Sequence, residues 1–456
     1  MSLSEAQFQR WLESPNEHRV VLIELDHAAG TEQVADQPYL APANEQLADP
    51  VYRDVLASAV GISTRIDGLV EFGDVTLIDD GAITHWLDYQ WRGYPVRVFL
   101  GDMAWPRAEF RQVATATNDG IARYRQGQLV MSVVDASAQL DTPIDTGQLP
   151  DAAGPIPLVL GQCYNVPAYR DDTTTLHHRV SYLPLVSATP RDIGNPVPHT
   201  ADLSGGGFTL DNAPGNASEI TAAAHEQHDT PLALVQWVAD RYGLSVSPET
   251  TLPDVTVGFQ SSSQVSGAQI LEALRDTLGA GWMLDPLGRL DVRVITAPGD
   301  TPDVTLAPDD VQDGTLHLEA VEPPWSALTL RWGRNHAPLR TVAASVSDSD
   351  TAQAERLKRA WSESTVEQTL TGFPLAHPET RDTLLQVAGE VTAERDRRLA
   401  YHATRLERWR VTTYRPTVAV YQSITINLPP IAGRVGRVTA VRLARVGGKA
   451  ELEILI

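Results

Sequence analysis

The spacing of apolar and polar positions changes period along this chain, most visibly between residues 229 and 295. Val235, Val238, Ala239 and Tyr242 recur at the i, i+3, i+4, i+7 spacing of one buried helix face. Thr230 stands where a cap belongs, and Pro231 occupies the first turn, where a missing N–H costs nothing. Gly243 supplies the left-handed residue that ends the helix. The period then falls to two at Val255, Val257 and Phe259, which predicts a short strand. A second helix is predicted from Ser266, with Ile270, Leu271, Leu274 and Leu278 on one side and Gly279 as its stop. Trp282-Met283-Leu284 and the alternating Leu290, Val292 and Val294 flank Asp285-Pro286-Leu287-Gly288. Proline second and glycine fourth fit a type I turn, so the segment closes on a hairpin.

Elsewhere a period of two dominates. After a short amphipathic helix carrying Phe8, Trp11 and Leu12, strands are predicted at 20–25, 62–66, 75–78, 96–100 and 129–135, parted by turns such as Asp79-Asp80-Gly81. Short strands at this spacing make a small barrel or sandwich. Residues 149–157 read as a Pro/Gly/Ala linker, and Pro157-Leu158-Val159-Leu160-Gly161 opens a new unit. The glycines, prolines and asparagines of 191–216 predict a long loop or lightly structured segment, whose Ser204-Gly205-Gly206-Gly207 lacks the Gly-Lys-Ser/Thr ending of a phosphate-binding loop. Beyond a Pro/Asp-rich run at 298–313, strands return at 316–318 and 328–332, and 351–360 and 381–409 predict helices. The second carries a stripe of Leu384, Ala388, Val391, Leu399, His402 and Leu406 and a favourable Glu394/Arg398 pair. Strands at 424–428, 436–443 and 451–456 finish the pattern around a Gly447-Gly448 turn and close a second barrel with 316–332.

A chain of 456 residues exceeds one ordinary core, and three or four modules are expected. It has no apolar run of membrane-spanning length, and 1–10 lacks the apolar stretch of a signal peptide, so synthesis and folding in a cytoplasm are expected. The single cysteine, Cys163, excludes an intrachain disulfide framework and is expected to be a small buried side chain, with a metal site shared between subunits as the alternative. A net charge of -22 argues against nucleic acid as a bound partner, because phosphate contacts need clustered Lys or Arg. Transient passage of nucleic acid is compatible with it.

The order helix ending in Tyr242-Gly243-Leu244, polar strand, helix Ile270-Leu271-Glu272-Ala273-Leu274, then the hairpin through Trp282-Met283-Leu284-Asp285-Pro286-Leu287-Gly288-Arg289-Leu290 resembles the small α/β domain of tail-tip or baseplate hub proteins of long-tailed bacteriophages. Their relatives include the late control protein D group and the hub part of type VI secretion spikes. Residues 76–101, with Trp86 after a turn glycine and then Gly93-Tyr94-Pro95-Val96-Arg97-Val98, resemble the first ring domain of such hubs. The resemblance is weakest over 161–227. It implies an α+β, mainly β chain with two small β-barrel ring domains, a small α/β domain and a helical insertion. The expected boundaries are 1–150 for the first ring domain, 151–228 for a β-rich connecting domain with a long loop, and 229–300 for the α/β domain. The second ring domain takes 301–345 and 405–456, around the insertion at 346–404.

The function implied is structural and without catalysis: a homotrimeric, pseudo-sixfold ring that joins the tail tube to the tip of a virion and lets DNA through at ejection. Implied partners are further copies of the chain, a distal tail protein or tail-tube ring, spike, fibre or other tail-tip proteins, and the tape measure protein. The last predicted strand reaches Ile456, whereas many relatives continue into spike, fibre or lysozyme modules, so receptor binding and wall cleavage are expected of other proteins. A bore lined mainly by Asp, Glu and neutral polar residues is expected, with most arginines at subunit interfaces.

No catalytic, cofactor-binding or metal-binding residue is assigned. His225-Glu226-Gln227-His228 misses the His-Glu-x-x-His pattern by one residue and precedes the helix at Pro231, so it reads as a polar loop. His177, His178 and His199 lie elsewhere. There is no Gly-x-Ser-x-Gly elbow, Cys163 has no local activating partner, and carboxylates are too abundant for a glycosidase pair to be chosen without geometry. His85, Trp86, Tyr89, Trp91 and Tyr94 form an aromatic cluster that is either core or a sugar platform. It sustains the rival reading of a carbohydrate-binding or cell-wall-acting multidomain protein.

Overall fold

The computed structural model describes residues 3–14, 17–42, 50–58, 61–68, 70–150, 153–171, 174–215, 219–299 and 301–456. Parts of the polar N-terminus, of the 149–157 linker and of the 191–216 loop lie outside these. The described chain is mainly β with interspersed helices. No helix among these residues is long and apolar enough to cross a membrane.

The first sheet has nine strands, in the order Tyr39–Leu40, Val51–Asp54, Gly30–Ala35, Arg19–His27, Pro95–Asp102, Arg111–Arg125, Gln128–Val134, Val75–Ile78, Leu56–Ser58. Val51–Asp54 pairs at one end and Leu56–Ser58 at the other, so a single extended stretch brings both ends of the sheet together. Alternate side chains, among them Ile23, Leu25, Val96, Val98 and Met131, fill the interior with the helix Glu5–Glu13 packed against them.

The main path of the second sheet runs Val304–Leu306, Ser423–Ile426, Val435–Leu443, Ala450–Leu455, Leu406–Thr413, His317–Glu322. Six strands of the first sheet have the same arrangement. Taken in chain order as first to sixth, they are Arg19–His27, Leu56–Ser58, Val75–Ile78, Pro95–Asp102, Arg111–Arg125 and Gln128–Val134. In both sheets the spatial order is second, third, sixth, fifth, fourth, first. The four pairings from second to fourth are antiparallel in both. The fourth-to-first pairing is antiparallel in one and parallel in the other.

The match extends to single residues. The fifth strand slips register against the sixth between Asn118 and Gly120 in one sheet and between Val438 and Ala440 in the other. Just before the slip, Asn118 exchanges backbone hydrogen bonds with Gly93 and Tyr94, and Val438 does so with Tyr421 and Gln422. Gly93 and Tyr421 both have positive φ, 87° and 68°.

Between the two sheets, small five- and four-stranded sheets enclose Val159, Cys163, Val166, Val180 and Phe208. Residues 191–215 therefore form not the long loop but the lightly structured segment. It carries Asn195–Pro196, His199–Asp202 and Gly207–Leu210, strands too short to show a period against their glycines and prolines.

The α/β segment forms as its local signals predict. Thr230 Oγ1 accepts from the Ala233 N–H at 3.3 Å to cap Pro231–Arg241, and Ser266 with Gln269 makes a capping box on Gly267–Leu278. The hairpin Ala280–Leu284 and Leu290–Val294 turns through Gly288, whose N–H bonds the Asp285 carbonyl at 2.8 Å. The strand predicted at 255–259 lies later, at Gly258–Ser261. These helices share one core with the second sheet, where Leu274, Leu278 and Trp282 join Val411, Leu452 and Ile454.

The helix predicted over 381–409 is confined to Ala388–Tyr401, between the strands His377–Asp382 and Leu406–Thr413. Leu384 and Leu406 extended the apparent stripe, but Leu406 opens a strand whose period-two burial overrides it. The 346–404 region accordingly mixes strands with helices: Ser362–Glu367 and His377–Asp382 flank Trp325–Trp332, while Ala344–Ser349, Thr351–Lys358 and Ala388–Tyr401 are its helices.

Candidate assembly surface

The two matched sheets are joined by a reciprocal exchange. Between its second and third strands the first sheet sends out the hairpin Ile62–Arg65 and Val70–Phe72. Ile62–Arg65 leaves its own sheet and adds antiparallel to the fifth strand of the second, with Ile62 opposite Leu443 and Arg65 opposite Ala440. It takes the edge that the short strand Ser423–Ile426, paired only as far as Arg437, leaves bare. In return, the turn after Leu443 reaches into the first sheet. Val446 is buried in that core, and the Gly447 carbonyl accepts from Arg19 at 2.8 Å. Gly447 has φ 72°, and a side chain there would meet Leu100. Arg445 pairs with Asp36 across the same junction.

The outer face of the second sheet is a ladder of opposite charges. Arg410 pairs with Glu319 at 2.8 Å and Glu451 at 3.1 Å, Arg408 with Glu322 at 3.3 Å and Glu453 at 3.6 Å, and Arg65 with Asp67 at 2.9 Å and Glu453 at 3.7 Å. Cross-strand pairs of this kind fix register more than they add stability, since they are partly solvated. At the start of the strand Leu406–Thr413 Glu407 is buried, and its carboxyl is held at about 2. Burial alone would raise it, but hydrogen bonds from Arg434, Trp409 and Arg405 outweigh that cost.

A second junction ties the helix Ala388–Tyr401 to the α/β segment. Arg397 donates to the Leu278 carbonyl at 2.7 Å, Arg398 donates to the Asp276 carbonyl, and both hold Glu394 at 2.7 Å. Two guanidinium groups thus satisfy two of the C-terminal carbonyls that Gly267–Leu278 leaves open. A cavity of about 370 Å³ opens beside them, lined among others by Arg275, Arg381, Tyr401 and His402. His402 stacks on Trp325 at 3.5 Å, and burial together with Arg398, Arg381 and Arg397 lowers its pKa to about 4.

The residues singled out for chemistry are placed apart or engaged locally. His225 meets Asp229 at 3.0 Å, while His228 meets the buried Glu226 at 2.7 Å, so the two imidazoles go to different carboxylates. Glu226 also accepts from the Gly161 and His228 N–H groups. His177 and Arg179 share Asp171, whose pKa falls because their hydrogen bonds outweigh its burial. His178 stacks on Phe208, and His199 meets that same ring edge-on. Cys163 is buried, and desolvation, with the Glu226 carboxylate adding to it, pushes its thiol pKa up, away from nucleophile or ligand chemistry.

The aromatic cluster divides. Trp86 and Trp91 are fully buried, packed edge to face at 5.8 Å, and the Trp91 indole donates to the Trp86 carbonyl at 2.9 Å. Tyr89 lies flat on His27 at 4.2 Å. Both indoles are core, which takes the two largest rings of the cluster away from any sugar-binding surface and leaves His85, Tyr89 and Tyr94 at least partly exposed. What sequence reasoning missed is the exchange itself. The alternation of Ile62 to Ile66 marks a strand, but nothing local points to a partner nearly four hundred positions later.

No family model matches this chain, and no curated protein does. Among solved structures, it is similar to the 43 kDa tail protein of prophage MuSo2 from Shewanella oneidensis, at 13% identity and a TM-score of 0.43 over 96% of this chain and 98% of that one. It is similar to a tail protein from Neisseria meningitidis MC58, at 10% identity and a TM-score of 0.43 over 96% and 97%. It is also similar to a chain of the Francisella PdpA–VgrG complex, at 8% identity and a TM-score of 0.33 over 97% of this chain and 53% of that one.

Proposed function

We propose that this chain is the structural hub of a phage tail tip or baseplate, three copies of which form a ring with pseudo-sixfold symmetry between the tail tube and the tip. The observation that carries this is the repeated strand order, down to the shared register slip and the shared positive φ of Gly93 and Tyr421. Two matched sheets per chain turn a threefold assembly into six similar units, which is what a sixfold tube needs to sit on a threefold tip. Distal tail or tube proteins on one side, and spike, fibre or tape measure proteins on the other, are the partners of such a ring.

A channel for DNA must not hold phosphates, because each bound phosphate is retained in proportion to the counterions released. The net charge of -22 per chain and the neutralised arginines of the Arg408/Arg410 ladder meet that condition. The working parts in this reading are surfaces, with no reaction assigned to them.

Light scattering across concentration, with negative-stain imaging of the same sample, tests the proposal. Threefold rings are expected. A stable dimer, or a chain that is monomeric inside assembled tails, overturns it.

A further inference from the structure

The repeat makes a statement about the edge that lies bare in the first sheet. On the fifth strand of the second sheet, pairing with the fourth strand stops at Arg437 and Ile62–Arg65 covers the next residues, 440–443. On the fifth strand of the first sheet, pairing with Pro95–Asp102 stops at Thr117, with the Asn118 bonds as its last rung. The matching residues, from Gly120 onward, have no strand on that side among the described residues. Residues 122–125 are exposed, and Tyr124 keeps 43% of its surface in solvent. A bare edge of this kind is a template for another chain.

The piece that covers the edge in the second sheet comes from the excursion between the second and third strands. The second sheet has an excursion at the same place, the three-stranded sheet built on Trp325–Trp332. One of its two outer strands, His377–Asp382, runs parallel to Trp325–Trp332, the strand that opens this excursion as Ile62–Arg65 opens the first. Five of its six residues are exposed. Just before it stand Phe373 and Leu375, the latter 81% exposed, an apolar pair left in solvent among the described residues.

We infer that His377–Asp382 of one copy adds antiparallel to the 119–125 edge of the next, as Ile62–Arg65 does to 440–443 within a chain. Charge agrees with that sense. With Ala122 opposite Thr380, antiparallel alignment brings Arg123 to Glu379, whereas parallel alignment in the same place sets Arg123 against Arg381. Phe373 and Leu375 then fall near Tyr124 and Ile78, which are themselves exposed. The contact joins different surfaces of the two copies, so it closes a ring when three copies repeat it through the same rotation. It deepens the hub reading and rests on it.

The test uses two full-length variants, Ala122→Cys and Thr380→Cys, mixed and treated with a short bis-maleimide. Both positions are exposed, and the buried Cys163 leaves a silent background. A covalent dimer is expected in the mixture and in neither variant alone, and a covalent trimer is expected when one chain carries both cysteines. In a parallel assay, Arg123→Glu should raise the concentration for half assembly about five-fold, and Glu379→Arg in the same chain should restore it. Trimers by light scattering that give no covalent dimer overturn this contact and leave the hub intact. A chain with no trimer at all, alone or in tails, overturns both.

Discussion

Tyr421 stands in the second sheet where Gly93 stands in the first: each donates its backbone N–H to the carbonyl of a buried fifth-strand residue, Val438 or Asn118, and each does so with positive φ. A glycine accepts that backbone freely, and a tyrosine does not. Tyr421 is held there by burial, with the Arg293 guanidinium 5.0 Å from its ring. Around Gly93 the space for a side chain is open.

Gly93→Ala isolates the backbone cost. With no clash to relieve, it should destabilise the chain by about 1 kcal/mol, seen as a lower denaturant midpoint at unchanged slope. Tyr421→Ala keeps part of the backbone strain and loses the packing, so about 3 kcal/mol or more is expected. If both changes cost the same, the equivalence of the two positions has no energetic content.

Much of the α/β segment could be read from the chain because its signals are local: Thr230 and Ser266 cap, and Gly243 and Gly279 stop. The repeat could not. Asn118 matches Val438 and Met131 matches Leu452 with burial kept, while Gly93 matches Tyr421 in backbone alone, so what the sheets share is register, with residue identity lost. Sheet order is set by pairings between distant residues, which a local period cannot encode. The aromatic cluster was ambiguous for a related reason. Trp86 sits in the 3-10 turn Thr84–Asp88, and neither strand nor helix spacing tells which way such a side chain faces.

Trp86→Ala should cost about 3–5 kcal/mol, since it empties a fully buried site. Glycan retention on an affinity column should be absent before and after the change. Retention by the parent chain that Trp86→Ala abolishes without unfolding would restore the sugar-binding reading.

Acid should weaken the fold through His402. Its folded pKa of about 4 lies below the unfolded value near 6.5, so the unfolded chain binds the proton first as pH falls. The stability this group contributes is complete above about pH 6.5 and is lost progressively toward pH 4. His402→Phe keeps a flat ring on Trp325 and removes the proton. Thermal midpoints of the two chains measured from pH 7 to pH 4 should diverge in that window, with the variant falling less.

Arg398→Leu should destabilise by about 3–5 kcal/mol, because it strips a buried partner from Glu394 and uncaps the Asp276 carbonyl. Adding Glu394→Leu should recover part of the loss, since it removes the buried carboxylate while Arg397 keeps its bonds to the Leu278 and Ile295 carbonyls. Equal destabilisation by the single and double changes would show that capping of the helix end, and not the ion pair, sets the cost.

The exchange between the sheets also sets a clock. Ile62 waits for Leu443, and Arg19 for Gly447, 428 positions further along. At roughly 5–20 residues per second, a ribosome holds the first sheet incomplete for about 20–80 s, with the place of Val446 in its core unfilled. Neighbouring nascent chains carry the same unpaired hairpin and, once finished, the same acceptor strand. Two chains released close together can therefore trade hairpins at no loss of pairing, a domain swap that joins copies through the junction meant to close each one. The speed with which the last strands arrive decides how often that happens.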